Sequence, residues 1–223
     1  MINIKISPLN SKATVFVFDF DGTIADTHYF ICEISNRICQ EFGYDLIDFN
    51  DIDKLKHMTA QEIIIHLRVP LFKIPAIVAR AKKEVQKGIA DIKLFPGIKE
   101  ALIHLKSQQV TIGILSSNTM DNIKLFLDTH ELDIFDFIQP TIKIWSKDFT
   151  LREVLKKYGF SKSRLVYVGD EIRDIVAARA CGIKVAAVGW GYNAPQALKD
   201  RRPDYFVAHP NDFFPIVSIL KSL

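Results

Sequence analysis

The feature that most constrains the fold is an alternation of short apolar runs with segments of helical periodicity. The runs rich in β-branched and aromatic residues, which predict strands, are TVFVF (14–18), VTIGIL (110–115), RLVYV (164–168), KVAAV (184–188), DYFVA (204–208) and, more weakly, FDFI (135–138). Helices are predicted between them at 97–107, 119–128, 149–158, 172–181 and 211–221. Because the strands are apolar throughout, both of their faces must be covered. The pattern predicts an α/β fold with a Rossmann-like parallel sheet sandwiched by helices.

The segment from residue 28 to residue 93 interrupts this alternation, because it contains helical patterns only. Helices are predicted within HYFICEISNRICQEF, after Thr59 and Glu62, which have the spacing of a capping box, and within KIPAIVARAKKEVQKG. We therefore predict an α/β core domain formed by residues 1–27 and 94–223, and a small all-helical cap domain formed by residues 28–93. An insert after the first strand would lie above the strand ends, where ligand sites form in open α/β sheets.

Composition argues against several classes of protein. The chain of 223 residues has no apolar run that approaches the roughly 20 residues of a membrane span, and its N-terminus lacks the apolar centre of a signal peptide. A net charge of +3 is spread along the chain, so no nucleic-acid track is expected. The cysteines Cys32, Cys39 and Cys181 form no CxxC pair and are expected to be reduced, which favours a cytoplasmic protein.

Unusual polar residues follow the predicted strands. The first strand ends in two carboxylates two residues apart, and burial of such groups is costly unless they are paired or bind a cation. The polar residues at the strand ends are Asp19, Asp21 and Gly22; Ser116, Ser117 and Asn118; Lys147; and Asp170, Glu171 and Asp174. Because the carboxyl ends of parallel strands lie along one edge of a sheet, these residues are expected to converge.

The residue types at this edge suit phosphoryl transfer. Several carboxylates without a histidine or cysteine cluster favour a hard, oxygen-seeking cation, most simply Mg²⁺. Hydroxyl groups and free backbone N–H groups ahead of a helix bind anions, and a lysine adds a compact positive charge. The cation is part of this hypothesis, because the carboxylates alone would repel a phosphate group.

The chain resembles the haloacid dehalogenase superfamily, and within it phosphoglycolate phosphatase-like members with a helical cap. DFDGT (19–23) is similar to the DxDGT motif of the family, Ser116 to the Ser/Thr of its second motif, Lys147 to the lysine of its third, and GDEIRD (169–174) to its acidic fourth motif. The resemblance covers nearly the whole chain from about residue 14. The third motif often reads Lys-Pro, whereas Asp148 follows Lys147 here, so Lys143 is a second candidate for that lysine.

This resemblance implies a role for each matched residue. Asp19 would be the nucleophile that forms an aspartyl-phosphate, and Asp21 would be the general acid and base. The metal Mg²⁺ would be held by the Asp19 carboxylate, the Asp21 backbone carbonyl, Asp170, and Asp174 directly or through water. The transferring phosphoryl oxygens would be held by Ser116, Lys147 and backbone N–H groups near Gly22 and Ser117.

Two neighbouring features have plainer interpretations. Asn118 is a good N-cap for the helix predicted at 119–128. GWGYNA (189–194) fits a dinucleotide fingerprint, but it follows a late strand, so we interpret it as a loop beside the active site.

We therefore expect a Mg²⁺-dependent phosphatase that hydrolyses a small phosphorylated metabolite, with 2-phosphoglycolate as the first candidate. The alternatives are a phosphomutase of the same superfamily and a non-catalytic phosphate-binding or scaffold protein. No nucleic-acid or membrane partner is expected, and the chain is expected to be a monomer or a homodimer.

Overall fold

A parallel β-sheet forms the centre of the computed structural model, which describes residues 13–141 and 147–222. Within these residues the strands are β1 (Val15–Phe18), β2 (Thr111–Ser116), β3 (Phe137–Pro140), β4 (Leu165–Gly169), β5 (Lys184–Val188) and β6 (Tyr205–Val207). Their order across the sheet is β3-β2-β1-β4-β5-β6, and each neighbouring pair is parallel. All the predicted strands are therefore present, including the weak one, which lies at 137–140.

Helices follow each strand along the chain. They are α1 (His28–Phe42), α2 (Ile52–Leu55), α3 (Ala60–His66), α4 (Ile74–Gly88), α5 (Ile98–Ser107), α6 (Met120–Thr129), α7 (Lys147–Tyr158), α8 (Ile172–Cys181), α9 (Pro195–Asp200) and α10 (Phe213–Lys221). No helix in the described ranges is both long and apolar enough to cross a membrane.

The two faces of the sheet bury separate apolar cores. Successive residues of a strand point to opposite faces, so Phe16 and Phe18 pack with α5, α6 and α10, whereas Val15 and Val17 pack with α7, α8 and α9. Both faces are covered, which explains why the strands are apolar throughout. The predicted α/β class with a helix-covered parallel sheet is confirmed.

Residues 28–93 contain helices and turns only, as predicted. The capping box at the start of α3 is confirmed, because the Thr59 side chain accepts from Glu62 N and the Glu62 side chain accepts from Thr59 N. The segment has two kinds of packing. Ile34 and Ile38 of α1 belong to the same apolar core as Phe16 and Phe18. A smaller apolar cluster, which includes Leu55, lies within the segment itself. Its status as a separate cap domain stays a prediction.

The central strand β1 is hydrogen-bonded on both sides, to β2 and to β4. Phe18, its last residue, is paired with Ile114 and with Val168, so the next residue lies level with the ends of both neighbours. From β1 the sheet grows in one direction through β2 and β3 and in the other through β4, β5 and β6. The crevice of an open α/β sheet forms where the direction of growth changes in this way. Residues that follow β1, β2 and β4 therefore lie around one crevice.

Gly113, in the middle of β2, allows an aromatic ring to cross the strand. Gly113 is paired in register with Phe137 of β3, and an added Cβ would lie 2.1 Å from the Phe137 ring. Phe137 is buried against the rings of Tyr158 and Phe160, at centroid distances of 4.8 and 5.9 Å. We expect Gly113→Ala to lower the free energy of unfolding by about 1–3 kcal/mol, measured by urea denaturation.

The control for this prediction is a double-mutant cycle. Phe137→Leu alone leaves a cavity and destabilises the protein, but in the double variant the smaller side chain gives room to the new methyl group. The double variant should therefore lose less stability than the sum of the two single variants. An unchanged urea midpoint for Gly113→Ala would contradict the packing described here.

Candidate active site

Asp19 stands where β1 ends, at the centre of the crevice. Its backbone N donates to Val168 O at 2.7 Å, so the residue extends the ladder with β4. Its Oδ1 accepts a hydrogen bond from Phe20 N at 2.9 Å. Phe20 is fully buried with its ring edge-on against Phe126, which anchors the turn behind the carboxylate. The apolar strand and Phe20 together hold Asp19 in place, and its side chain is almost completely buried.

Gly22 brings the backbone of this turn close to the end of β4. Its φ of +78° lies in the left-handed region, which side chains with a Cβ rarely adopt. A Cβ at this position would also lie 2.3 Å from Asp170 Oδ2 and 2.3 Å from the Tyr192 ring. Glycine is therefore required here both for conformation and for close approach.

Three buried carboxylates meet at the ends of β1 and β4. Asp19, Asp170 and Asp174 each have an oxygen within 4.8 Å of an oxygen of the others. Thr23 Oγ1 donates to Asp170 Oδ1 and Tyr192 N donates to Asp170 Oδ2, both at 2.7 Å. Asp174, in the first turn of α8, accepts from Glu171 N at 3.0 Å. Convergence of these acids, predicted from the strand ends, is therefore observed.

Lys147 is the first residue of α7, two residues before the predicted start of that helix. Its side chain is buried, and its Nζ donates to the carboxylates of both Asp19 and Asp174. The lysine thus lies inside the acidic cluster rather than in solvent. The second candidate from the sequence, Lys143, lies outside the described residues.

Burial sets the protonation of this cluster. It raises the pKa of Asp19 to about 7, against the opposing effect of Lys147, and Asp174 raises it further. Burial also raises the pKa of Asp170 well above its ordinary value, assisted by the neighbouring acids. Burial by itself would lower the pKa of Lys147, but Asp174 and Asp19 outweigh it and the pKa is raised. The carboxylates therefore repel one another in a site with little solvent to screen them.

The cluster fits a hard divalent cation. Its donors are oxygen atoms only, and they lie close enough together to share one ion. A doubly positive ion among them would offset the repulsion that raises the pKa values of Asp19 and Asp170. The chemistry of the donor set thus agrees with the metal site predicted from the sequence.

Asp21 faces a cavity in front of the acidic cluster. Part of the Asp21 side chain is accessible from this cavity, and burial of the rest raises its pKa to about 6. Hydrogen bonds from Thr27 and Asn118 oppose this rise. Nδ2 of Asn118 lies 3.4 and 3.5 Å from the two oxygens of the Asp21 carboxylate. A carboxyl group that titrates near neutral pH is suited to both giving and taking a proton.

The residues after β2 lie beside Asp21. Ser116 is fully buried and its Oγ accepts from Asn118 N at 3.0 Å, while Ser117 lines the cavity. The prediction that Asn118 caps α6 is wrong. Thr119 is the N-cap, because its Oγ1 accepts from Asn122 N at 3.2 Å.

Sequence reasoning placed Asn118 among the strand-end residues expected to converge, but gave it only the role of an N-cap. Its Oδ1 accepts from Thr119 N and from Asn122 Nδ2, both at 2.9 Å, and these bonds leave its amide nitrogen facing Asp21. The only signal in the sequence was its place two residues after Ser116, at the end of a strand. That position is compatible with a cap as well, so the pattern alone did not separate the two roles.

The loop 189–194 follows β5 and lies against the acidic cluster. Besides the bond from Tyr192 N to Asp170, the Tyr192 hydroxyl shares a hydrogen bond of 2.9 Å with Thr27 Oγ1. Trp190 Nε1 donates to Thr23 O at 3.1 Å. The GWGYNA segment therefore positions Asp170 and the turn after β1. An added Cβ at Gly191 would lie 2.3 Å from Asp170 Oδ2, so the close approach of this loop to Asp170 requires glycine there.

The chain is similar to known proteins over most of its length. Residues 16–188 match the family model described as haloacid dehalogenase-like hydrolase. A phosphoglycolate phosphatase from Synechococcus elongatus is 33% identical over 205 residues, which cover 92% of this chain and 97% of that relative. A pyrophosphatase from Bacillus cereus is 23% identical over 212 residues, covering 93% of this chain and 97% of that relative.

Solved structures have the same fold. A hydrolase of the haloacid dehalogenase-like family from Streptococcus pneumoniae superposes with a TM-score of 0.77 at 22% sequence identity. The superposition covers 93% of this chain and 99% of that one. The likeness therefore includes the helical segment 28–93 as well as the sheet.

Proposed function

The chain belongs to the haloacid dehalogenase-like hydrolase family, and from that premise we propose that it is a Mg²⁺-dependent phosphatase acting on a small phosphorylated metabolite. The observation that carries the proposal is the buried cluster of Asp19, Asp170, Asp174 and Lys147, with Asp21 facing the cavity in front of it. A relative named phosphoglycolate phosphatase makes 2-phosphoglycolate the first substrate to test.

In the proposed mechanism Asp19 is the nucleophile. Its carboxylate is held on one side by Phe20 N and on the other by Lys147, so it has a fixed direction of attack. One carboxylate oxygen forms a bond to phosphorus while the bond from phosphorus to the alcohol oxygen breaks. The product of this step is an aspartyl-phosphate on Asp19 and a free alcohol.

Asp21 is the proposed general acid and base. Its protonated form gives a proton to the leaving alcohol oxygen in the first step. Its ionised form then takes a proton from the water that attacks the phosphorus of the aspartyl-phosphate, which releases phosphate and restores Asp19. A pKa of about 6 supplies both forms near neutral pH, and Asn118 and Thr27 orient the carboxyl group.

The phosphoryl oxygens need positive charge and hydrogen-bond donors. We assign this role to Lys147, to the hydroxyl of Ser116, and to backbone N–H groups near Gly22 and Ser117. The ammonium group of Lys147 is a compact charge that lies next to the nucleophile, so it stabilises negative charge at the reacting phosphorus.

The proposed ligands of Mg²⁺ are the carboxylates of Asp19 and Asp170 and the backbone carbonyl of Asp21. When bound, the ion would neutralise charge on the phosphoryl group. Asp174 already accepts hydrogen bonds on both of its oxygens, from Lys147 and from Glu171 N. We propose that Asp174 contributes to the metal site directly or through water, and that it also holds the ammonium group of Lys147 in place.

The proposed setting is the cytoplasm. Cys32, Cys39 and Cys181 are free and buried, which suits a reducing compartment. We propose that the site binds a small phosphate ester and that the protein has no nucleic-acid or membrane partner. We also propose that it is a monomer or a homodimer.

The proposal is tested by phosphate release from 2-phosphoglycolate and a panel of other phosphate esters. We expect turnover with Mg²⁺, a loss of at least about 100-fold after treatment with EDTA, and recovery when Mg²⁺ is returned, because the ion contributes several kcal/mol to charge stabilisation. Equal turnover in EDTA would contradict the metal. Transfer of the phosphoryl group to a second hydroxyl of the substrate, in place of water, would favour a phosphomutase. The absence of any turnover would favour a phosphate-binding protein.

A further inference from the structure

A large chamber extends from the candidate active site into the helical segment. It has a volume of about 390 Å³ and reaches from Asp21, Asn118 and Tyr192 at one end to helices α1, α3 and α4 at the other. This volume lies in the range of small-molecule sites in proteins. The chamber is far larger than a phosphate group needs, so most of it is available to another part of a substrate.

The walls of the chamber are mainly aliphatic. Ile31 of α1, Ile63 and Ile64 of α3, and Ile77 and Val78 of α4 all line it, and each stays partly accessible rather than fully buried. These side chains leave apolar surface facing an open space beside a catalytic carboxylate. Such surface is stabilised when an apolar group displaces water from it.

Hydrogen bonds beside the chamber join the helical segment to the loop 189–194. Asn193 Nδ2 donates to Lys56 O at 2.8 Å and to Met58 O at 2.9 Å, and Ala194 N donates to Lys56 O at 2.8 Å. Oδ1 of the same Asn193 accepts from Ile172 N at 2.8 Å, at the start of the helix that carries Asp174. The helical segment is therefore joined directly to the loop that positions the acidic cluster.

Three cations also line the chamber, and one of them, Arg173, donates a hydrogen bond of 2.9 Å to the carboxylate of Glu171. Lys56 and Lys82 are both partly exposed. A lysine in this situation lays its aliphatic stem along apolar surface and keeps its ammonium group in water. A small polar leaving group would touch few of the aliphatic walls and would leave most of their apolar surface in contact with water.

We propose that the chamber binds the alcohol part of the substrate, and that the preferred substrates are phosphate monoesters whose alcohol has an apolar body, such as an alkyl chain or an aromatic ring. This inference rests on the proposed phosphatase function and narrows its substrate class. A leaving group as small and charged as that of 2-phosphoglycolate occupies only the end of the chamber next to Asp21.

The test uses alkylphosphonates from methyl to hexyl, because their carbon–phosphorus bond resists hydrolysis by this mechanism and binding is measured apart from turnover. With Mg²⁺ present, calorimetry should show affinity rising about two- to fourfold for each added methylene group. The same trend is expected in kcat/KM for the matching alkyl phosphates.

Neighbouring residues of α3 provide a matched pair of variants. Ile64 lines the chamber, whereas Ile65 is 70% exposed and does not line it. Ile64→Thr should weaken hexylphosphonate binding about 10-fold and leave methylphosphonate binding unchanged, whereas Ile65→Thr should change neither. Val78→Thr keeps the shape of the side chain and serves as a second chamber variant should Ile64→Thr fail to fold.

The outcomes separate the two proposals. Turnover of small esters with affinity that is flat or falling along the alkyl series would overturn the apolar chamber and leave the phosphatase function intact. Chain-length-dependent binding without turnover would support the chamber and overturn the phosphatase function. Equal effects of Ile64→Thr and Ile65→Thr on hexylphosphonate binding would also overturn the chamber.

Discussion

Asp19→Asn is expected to abolish phosphate release, with a fall in kcat of at least about 10³-fold on both p-nitrophenyl phosphate and 2-phosphoglycolate. Asparagine keeps the shape of the side chain and an acceptor for Phe20 N. Its amide oxygen is uncharged, however, and is a poor nucleophile toward phosphorus. The charge on the oxygen is therefore the property that the variant tests, rather than the space the side chain fills.

Two measurements make this result specific. Thermal unfolding should show that the variant is folded, since the change removes one charge from a crowded group of buried acids. Asp26→Asn serves as the matched control, because Asp26 is an exposed carboxylate of the same turn and should keep wild-type turnover. Undiminished kcat in Asp19→Asn would exclude Asp19 as the nucleophile.

Asp21→Asn is expected to lower steady-state turnover by about 10²–10⁴-fold and to trap the enzyme with a phosphoryl group on Asp19. Departure of p-nitrophenolate needs no proton, so the first step should still proceed with p-nitrophenyl phosphate. Hydrolysis of the aspartyl-phosphate needs a base, and that step should become slow. We expect a burst of p-nitrophenol equal to the enzyme concentration, followed by a slow phase.

The trapped intermediate is measured directly. Acid quenching and mass spectrometry should find the mass of one phosphoryl group on the peptide that contains Asp19, and Asp26→Asn should show no such accumulation. With an alkyl phosphate, whose leaving oxygen does need a proton, the burst should disappear. A full steady-state rate in Asp21→Asn would contradict the acid–base role of Asp21. Slow turnover of p-nitrophenyl phosphate without any burst would mean that Asp21 contributes to substrate binding only.

Much of the sheet was predictable because its strands are buried on both faces. A strand such as KVAAV leaves a continuous apolar run, and the predicted bounds 184–188 are those observed. The helix predicted to begin at residue 149 already includes Lys147, whose ammonium group is held by Asp19 and Asp174. Periodicity of apolar residues carries no information on a buried ion pair.

Local sequence was a poorer guide where one side chain has several possible partners. Asn118 is of a residue type that often forms an N-cap, and it precedes a helix. Thr119 is nevertheless the N-cap, and the amide nitrogen of Asn118 faces Asp21. The choice depends on a residue 97 positions away in the chain. No short pattern distinguishes the two arrangements, because asparagine and threonine are both good N-cap residues and here they are adjacent.

The sequence alone determined the fold class, through the order of its strands. Through the polar residues at the strand ends, it also determined which acids and lysines were candidates for one site. This was possible because parallel strands bring their carboxyl ends to a single edge whatever the loops between them do. Only the tertiary structure decided that the GWGYNA loop positions Asp170, that Asn193 joins the helical segment to that loop, and that aliphatic walls enclose a chamber beside Asp21. Contacts between segments so distant in the chain depend on how whole elements pack, and that packing energy is spread over many residues.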